Sequence, residues 1–193
     1  KHVLNRDQDI NDEEVSLEKR ALKVMALQQP LASDFREIIS ILKASNDVER
    51  IGDYTTHIAR ATVNLNQVHH VPAIEKEISQ MTELVRQMLE KVMDAYANND
   101  EQAAYEVANQ DLEVDVIYVR QQKAILAGMM ANHDRIPAYE TYMGVIRNLE
   151  RAGDHIVNLA EWIIYIASGK LVELNPGKTD PSLVKQRLAK TDN

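Results

Sequence analysis

The chain has 193 residues, of which 45% are hydrophobic and 27% charged, so it can bury a core and is not a disordered tail. Its net charge of −8 argues against binding to nucleic acid, because such binding consists mostly of neutralising phosphates with Lys and Arg. The absence of cysteine excludes disulfides and thiol catalysis and is compatible with a reducing cytoplasm. No stretch approaches the roughly 20 apolar residues of a membrane span, so we expect a soluble, unexported protein.

An all-α fold is predicted from the low content of Gly and Pro, the few aromatic residues and the many helix-forming residues. Apolar periodicity and helix-breaking residues delimit five helices. In chain order they run from about Val3 to Gln28, Pro30 to Asn66, Ile74 to Ala97, Glu101 to Met130, and Pro137 to Ser168. Residues 67–72 are interpreted as a linker, and Gly169 as the residue that ends the last helix.

One pentapeptide occurs twice, as Glu49-Arg50-Ile51-Gly52-Asp53 and as Glu150-Arg151-Ala152-Gly153-Asp154. The helix before each copy also aligns, with Asn11 opposite Asp115, so the repeated unit is a helix pair. A further helix precedes only the second pair, and two antiparallel helices alone bury little apolar surface.

We therefore predict two tandem antiparallel three-helix bundles, of which the first lacks its leading helix in this chain. Residues 1–66 would form the incomplete first bundle, residues 74–169 the second bundle, and residues 170–193 a C-terminal tail.

The acids of the repeat are candidate metal ligands. Two carboxylates four residues apart lie about 40° apart around a helix and roughly 6 Å apart along it, so each pair projects from one face. If the helices of a pair pack with these faces together, four side-chain oxygen groups converge in each repeat. The candidates are Asp7, Asn11, Glu49 and Asp53 in the first repeat, and Asp111, Asp115, Glu150 and Asp154 in the second. Ligands that offer only oxygen favour Mg²⁺, Mn²⁺, Ca²⁺ or oxidised iron.

A second interpretation of these acids is a set of surface ion pairs with Arg50, Arg147 and Arg151, each contributing at most about 1 kcal/mol. Glycine within both helices favours the metal, because Gly52 and Gly153 each cost about 1 kcal/mol relative to Ala and so indicate a close approach.

Other polar residues of these helices carry weaker signals. The helical wheel places Asp47 on the face opposite the apolar arc of the second helix. His155 is interpreted as a surface residue and Trp162 as a core residue.

These motifs resemble those of the PhoU family, whose members act in phosphate transport and the phosphate response. The matching elements are Pro30-Leu31-Ala32-Ser33-Asp34-Phe35-Arg36, Val48-Glu49-Arg50-Ile51-Gly52-Asp53, Val114-Asp115, Leu149-Glu150-Arg151-Ala152-Gly153-Asp154-His155, and Asn158-Leu159-Ala160-Glu161-Trp162-Ile163-Ile164-Tyr165. The resemblance implies iron or zinc clusters on Glu49, Asp53 and Asp7 in one bundle and on Glu150, Asp154, Asp111 and Asp115 in the other. Asn11 departs from the family pattern, because an amide supplies a neutral oxygen in place of a carboxylate.

The function implied by the resemblance is that of a cytoplasmic adaptor. It would link the ATPase subunit of the phosphate ABC transporter to the sensor histidine kinase of a two-component system, and would repress the phosphate-starvation response and regulate phosphate uptake. We expect a homodimer without enzymatic activity that meets the membrane only through these partners.

Two alternatives stay open. A carboxylate-bridged di-iron redox protein would carry Glu-x-x-His pairs, yet the residues three after Glu49 and Glu150 are Gly52 and Gly153. A metal-free helical scaffold would use the same acids only in ion pairs. Nucleotide binding has no support, since there is no Gly-rich phosphate-binding loop.

Overall fold

The computed structural model describes the backbone of residues 2–65 and 70–175, and the side chains of all of these except residues 2–8 and 64. This part of the chain contains five α-helices and no strand, which confirms the all-α prediction. The helices are α1 (His2–Gln28), α2 (Ala32–Leu65), α3 (Pro72–Asn98), α4 (Glu101–Ala131) and α5 (Ile136–Ser168), with a single 3-10 turn (His133–Arg135) before α5. None of the helices within these ranges has the length and hydropathy that a crossing of the bilayer requires.

The helix ends follow local chemistry. The chain breaks between α3 and α4 as predicted, because Asn99 adopts a left-handed conformation (φ 52°) and Asp100 caps α4 by accepting a hydrogen bond from the Ala103 N–H at 3.0 Å. α2 begins at Ala32 rather than at the predicted Pro30. Gln29 and Ala32 both have positive φ, of 48° and 46°, so the reversal between α1 and α2 takes two more residues than Pro30 alone suggested.

α3, α4 and α5 form the predicted three-helix bundle. α3 contributes one buried stripe at helical spacing, whereas α5 is buried along nearly its whole length because α2, α3 and α4 all pack against it. The fully buried α5 residues include Ile146, Ile156, Leu159 and Ile163. α5 is therefore the central helix of the described structure.

The first repeat consists of α1 and α2 within the described ranges. α1 contacts α2 and, among the described residues, no other helix, while α2 also packs along α5. The two repeats thus share one core through the α2–α5 contact. The boundaries predicted for the domains stay predictions. Residues 66–69, at the start of the predicted linker, and residues 176–193 of the predicted tail lie outside the described residues.

Tyr142 anchors the start of α3 to α5. Its hydroxyl donates to Glu75 Oε1 at 2.5 Å and accepts from the Val71 N–H at 3.0 Å, and His70 Nδ1 lies 2.6 Å from the same carboxylate oxygen. The hydrogen bond from Tyr142 lowers the pKa of Glu75, and burial raises the pKa of Tyr142 to about 12. Glu75 is therefore held as a carboxylate at the beginning of α3.

We predict that Tyr142→Phe lowers the free energy of unfolding by about 1–2 kcal/mol at pH 7, since the Val71 N–H and Glu75 each lose a partner. Because the pKa of Glu75 is lower in the folded state, its ionised carboxylate stabilises the fold at pH values above the unfolded-state pKa. This stabilisation is lost as the pH falls through the folded-state pKa. The difference between variant and wild type should thus shrink below about pH 4. Urea unfolding at pH 7 and below about pH 4 measures this difference, and Tyr105→Phe, at an exposed position, is the control. An equal loss at both would contradict the role of Glu75.

Candidate functional site

The acids of the second repeat lie on α4 and α5, which pack against each other. Asp111 and Asp115 of α4 are buried, with 0% and 7% of their surface exposed, whereas Glu150 and Asp154 of α5 are partly exposed. The Asp111 carboxylate lies against Gly153, which stands between Glu150 and Asp154 along α5. The structure therefore brings Asp111 to the turn of α5 that carries the second acidic pair.

Gly153 is required at this contact by the volume of the Asp111 carboxylate. A Cβ at position 153 would lie only 2.5 Å from Asp111 Oδ1 and 3.7 Å from Val114 Cγ1. The close approach that the sequence indicated at this glycine is thus made by a side chain of the neighbouring helix.

The first repeat uses its glycine in a similar way. A Cβ on Gly52 would lie 3.1 Å from Ile10 Cδ1, and Ile10 aligns with Val114 in the repeat. The geometry of both contacts therefore agrees with the alignment of the two copies. Asp7, the counterpart of Asp111, has its side chain outside the described residues.

Glu49 and Asp53 of the first repeat both pair with an arginine of their own helix. Arg50 Nε lies 3.7 Å from Glu49 Oε2, and its Nη1 lies 3.5 Å from Asp53 Oδ2. Asn11 on α1 is partly exposed. This is the ion-pair arrangement that the sequence left open as the alternative to a metal.

The acids of the second repeat are of the chemical type that binds a hard cation, but their side chains are not arranged around a common point. Its donors are all oxygens, and the gap at Gly153 lets a buried carboxylate reach the opposite helix. Among the side chains that the structure describes, however, no three His, Cys, Asp or Glu residues are arranged to hold an ion. The metal ligands therefore stay a prediction.

Asp47 is the polar residue that sequence reasoning misplaced. It is buried, with 7% of its surface exposed, and accepts hydrogen bonds from three side chains of α5. The donors are His155 Nδ1 at 2.7 Å, Asn158 Nδ2 at 3.0 Å and Trp162 Nε1 at 3.1 Å. A carboxylate can only accept, so His155 carries its proton on Nδ1.

The predictions for Asp47 and His155 were wrong because α2 is covered on two sides. A wheel with one apolar arc describes a helix with one buried face, but α2 packs on α1 through one face and on α5 through another. His155 is not a solvated residue, since it bonds Asp47 and its ring lies 5.7 Å from that of Tyr54. Trp162 is a partly buried residue whose indole N–H has a specific partner. The sequence feature that could have indicated a shared polar partner is the spacing of the three donors at i, i+3 and i+7, which places them on one face of α5.

We predict that Gly153→Ala lowers the free energy of unfolding by about 1–3 kcal/mol, because the added methyl displaces the buried Asp111 carboxylate. Gly144→Ala is the matched control on the same helix. A Cβ there meets nothing within 4 Å, so this variant should gain about 0.5–1 kcal/mol from helix propensity. Denaturant unfolding compares the two, and equal effects would show that Asp111 moves without cost.

We predict that Asp47→Ala lowers the free energy of unfolding by about 3 kcal/mol, because it leaves three partly buried donors without their acceptor. Lys43→Ala, at an exposed position one turn earlier on α2, should change it by less than about 0.5 kcal/mol. Thermal and denaturant unfolding measure both. A loss for Asp47→Ala no larger than that for the control would mean that the α2–α5 contact depends on its apolar residues alone.

The fold and this arrangement define a class of all-α proteins built from a repeated helical unit with an acidic motif at a glycine contact in each copy. The family model described as "PhoU domain" matches residues 1–62 and 78–163. The chain belongs to the PhoU family, as its motifs predicted.

Relatives of known name match over most of the chain. Proteins from Zymomonas mobilis and Streptococcus pneumoniae, both called "Phosphate-specific transport system accessory protein PhoU homolog", are 36% identical over 171 residues and 34% identical over 173 residues. These matches cover 87% and 90% of this chain, and 70% and 80% of the relatives.

Two crystal structures share the fold. PhoU from Pseudomonas aeruginosa matches with a TM-score of 0.85 and 34% identity, covering 88% of this chain and 81% of that one. The phosphate transport system regulatory protein PhoU from Streptococcus pneumoniae matches with a TM-score of 0.79 and 32% identity, covering 89% and 80%.

Proposed function

We propose that this PhoU-family protein is an accessory and regulatory protein of phosphate transport that works as a cytoplasmic adaptor. It binds the ATPase subunit of a phosphate ABC transporter and the sensor histidine kinase of a two-component system, and it represses the phosphate-starvation response when phosphate is sufficient. The observation that carries the proposal is the match to relatives named as transport accessory proteins over 87% and 90% of the chain.

The described structure supports a binding role rather than an enzymatic one. Buried polar side chains such as Asp47 and Tyr142 form hydrogen bonds that hold two helices together. The five helices also have long exposed faces on which a partner could bind. The proposed adaptor acts as a homodimer and reaches the membrane only through the transporter.

The proposal includes a cation at the second repeat, held by Asp111, Asp115, Glu150 and Asp154. Zinc or iron is the metal that the family resemblance implies, while the oxygen ligands also suit Mg²⁺, Mn²⁺ and Ca²⁺. Support comes from the buried Asp111 carboxylate and the gap at Gly153. Because no ligand group is assembled among the described side chains, binding would require Glu150 and Asp154 to turn towards Asp111.

A cation at the first repeat has less support. There Arg50 already pairs with Glu49 and Asp53, and a metal held by these acids with Asp7 and Asn11 would have to displace it. This ion pairing favours a metal-free helical scaffold as the second candidate, at least for the first repeat.

We predict that protein purified without chelator or affinity metal carries stoichiometric zinc or iron, and that Glu150→Ala/Asp154→Ala loses it because two of the proposed ligands are gone. Elemental analysis of both proteins makes the measurement. Glu83→Ala/Glu90→Ala is the matched control, since it removes two exposed acids of α3 that pair with Arg86. Metal at background level in the wild type would favour the scaffold.

The adaptor role has its own test. Purified ATPase subunit and the cytoplasmic part of the kinase, each immobilised, should bind this protein in biolayer interferometry. Binding to neither partner would overturn the adaptor role whatever the metal content.

A further inference from the structure

A shallow groove lies between α3 and α4 on the outer surface of the second bundle. Its volume is about 430 Å³. Leu84 of α3 and Ile117 of α4, both partly buried against the core, form its apolar part. Glu83 and Glu113 contribute one exposed carboxylate from each helix, and the other side chains that line it are uncharged. The groove therefore combines an apolar surface with two acids.

The cations around this groove do not balance its acids. Glu83 pairs with Arg86 at 2.6 Å, but the guanidinium of Arg86 also bonds Glu90. Within the described ranges, no Lys, Arg or His side chain forms an ion pair with Glu113. A segment with basic residues beside apolar ones would thus gain both electrostatic attraction and apolar contact in this groove.

The chain reaches α4 again after α5. Gly169, at φ 72°, ends α5, and the next residues fold back along it, so that the Leu174 N–H donates to Glu161 Oε1 at 2.9 Å. Asn175 Nδ2 then donates to the Ala108 carbonyl of α4 at 2.9 Å. The last described residue is therefore tied to one of the two helices that form the groove.

Residues 176–193, here named the distal tail, have the composition that the groove suits. They contain four basic and two acidic residues, in a chain whose net charge is −8. Val184 and Leu188 are four residues apart, a spacing that places two side chains on one face of a helix. Lys185 and Arg187 lie between them in the sequence. The distal tail therefore offers apolar and basic side chains close together.

The groove is also within reach of the distal tail. Glu113 follows Ala108 on α4 by five residues, about 7.5 Å along the axis, and half the circumference of a helix is roughly 17 Å. The seven residues from Pro176 to Ser182 span up to about 23–25 Å when extended. So short a tether gives an effective concentration of about millimolar, which favours the chain's own tail over that of a second copy.

We propose that residues 182–190 of the distal tail bind the α3–α4 groove of the same molecule. Val184 and Leu188 cover its apolar part, and Lys185 and Arg187 lie beside its two carboxylates. The distal tail thereby covers a face of the second bundle, so a partner that binds this face first has to displace it. This inference depends neither on the proposed adaptor role nor on the proposed metal.

The first test locates the distal tail by NMR in the full-length protein. Because the chain has no cysteine, Ala189→Cys carries a single nitroxide label. We expect the amide signals of Leu84 and Ile117 to lose most of their intensity through paramagnetic relaxation. Unchanged signals there would overturn the proposal. So would a loss confined to Ile10 and Leu17, which line an acidic groove on the first repeat.

The second test removes one of the two acids in the labelled protein. Glu113→Lys should restore most of the lost intensity at Leu84 and Ile117, because it puts a positive charge beside the basic tail. Glu140→Lys makes the same charge change at an exposed position on α5 and is the matched control, in which the loss should persist. Equal behaviour of the two variants would overturn the contact with Glu113.

A mixed sample decides which molecule supplies the tail. Isotope-labelled wild type without a nitroxide is combined with unlabelled Ala189→Cys protein that carries the nitroxide. We expect the signals of the wild type to stay unchanged, since each groove is covered by its own chain. Loss of the Leu84 and Ile117 signals in this sample would assign the groove to the tail of a second copy and overturn the intramolecular contact.

Discussion

Burial of α5 on three sides is the constraint on which the rest of the structure depends. Because α2, α3 and α4 all pack against it, its apolar residues form the core of the second repeat and most of the contact with the first. On the covered faces of α5, polar side chains are then tolerated where a neighbouring helix leaves space or provides a partner. Asp154 lies beside the gap at Gly153, and His155 has Asp47 as its partner.

The two repeats have the same helix pair but treat their acids differently. In the first, Arg50 pairs with both Glu49 and Asp53 on its own helix. In the second, the buried Asp111 lies against Gly153 of α5 and accepts a hydrogen bond from Asn175 Nδ2 at 3.4 Å. The two copies therefore share a glycine contact between their helices but differ in the contacts that their acids make.

Much of the fold could be predicted from the sequence because its signals are local. Asn99 and Gly169 take left-handed conformations that end helices, and the doubled pentapeptide is by itself enough to indicate the repeat. Less of the candidate site could be predicted from the sequence. Gly153 correctly indicated a close approach, but Asp47 and Asn175 make contacts between distant parts of the chain. The spacing of His155, Asn158 and Trp162 puts three donors on one face of α5, but it does not identify the acceptor on another helix.

The three donors to Asp47 also limit how the two repeats can move. His155, Asn158 and Trp162 lie along almost two turns of α5 and converge on one short carboxylate of α2. A sliding of α5 along α2 by one turn, about 5.4 Å, would break all three hydrogen bonds together and leave the carboxylate buried against apolar side chains. The contact therefore permits a single register. Any rearrangement between the repeats has to be a rotation that pivots about Asp47, with the ends of the helices travelling furthest.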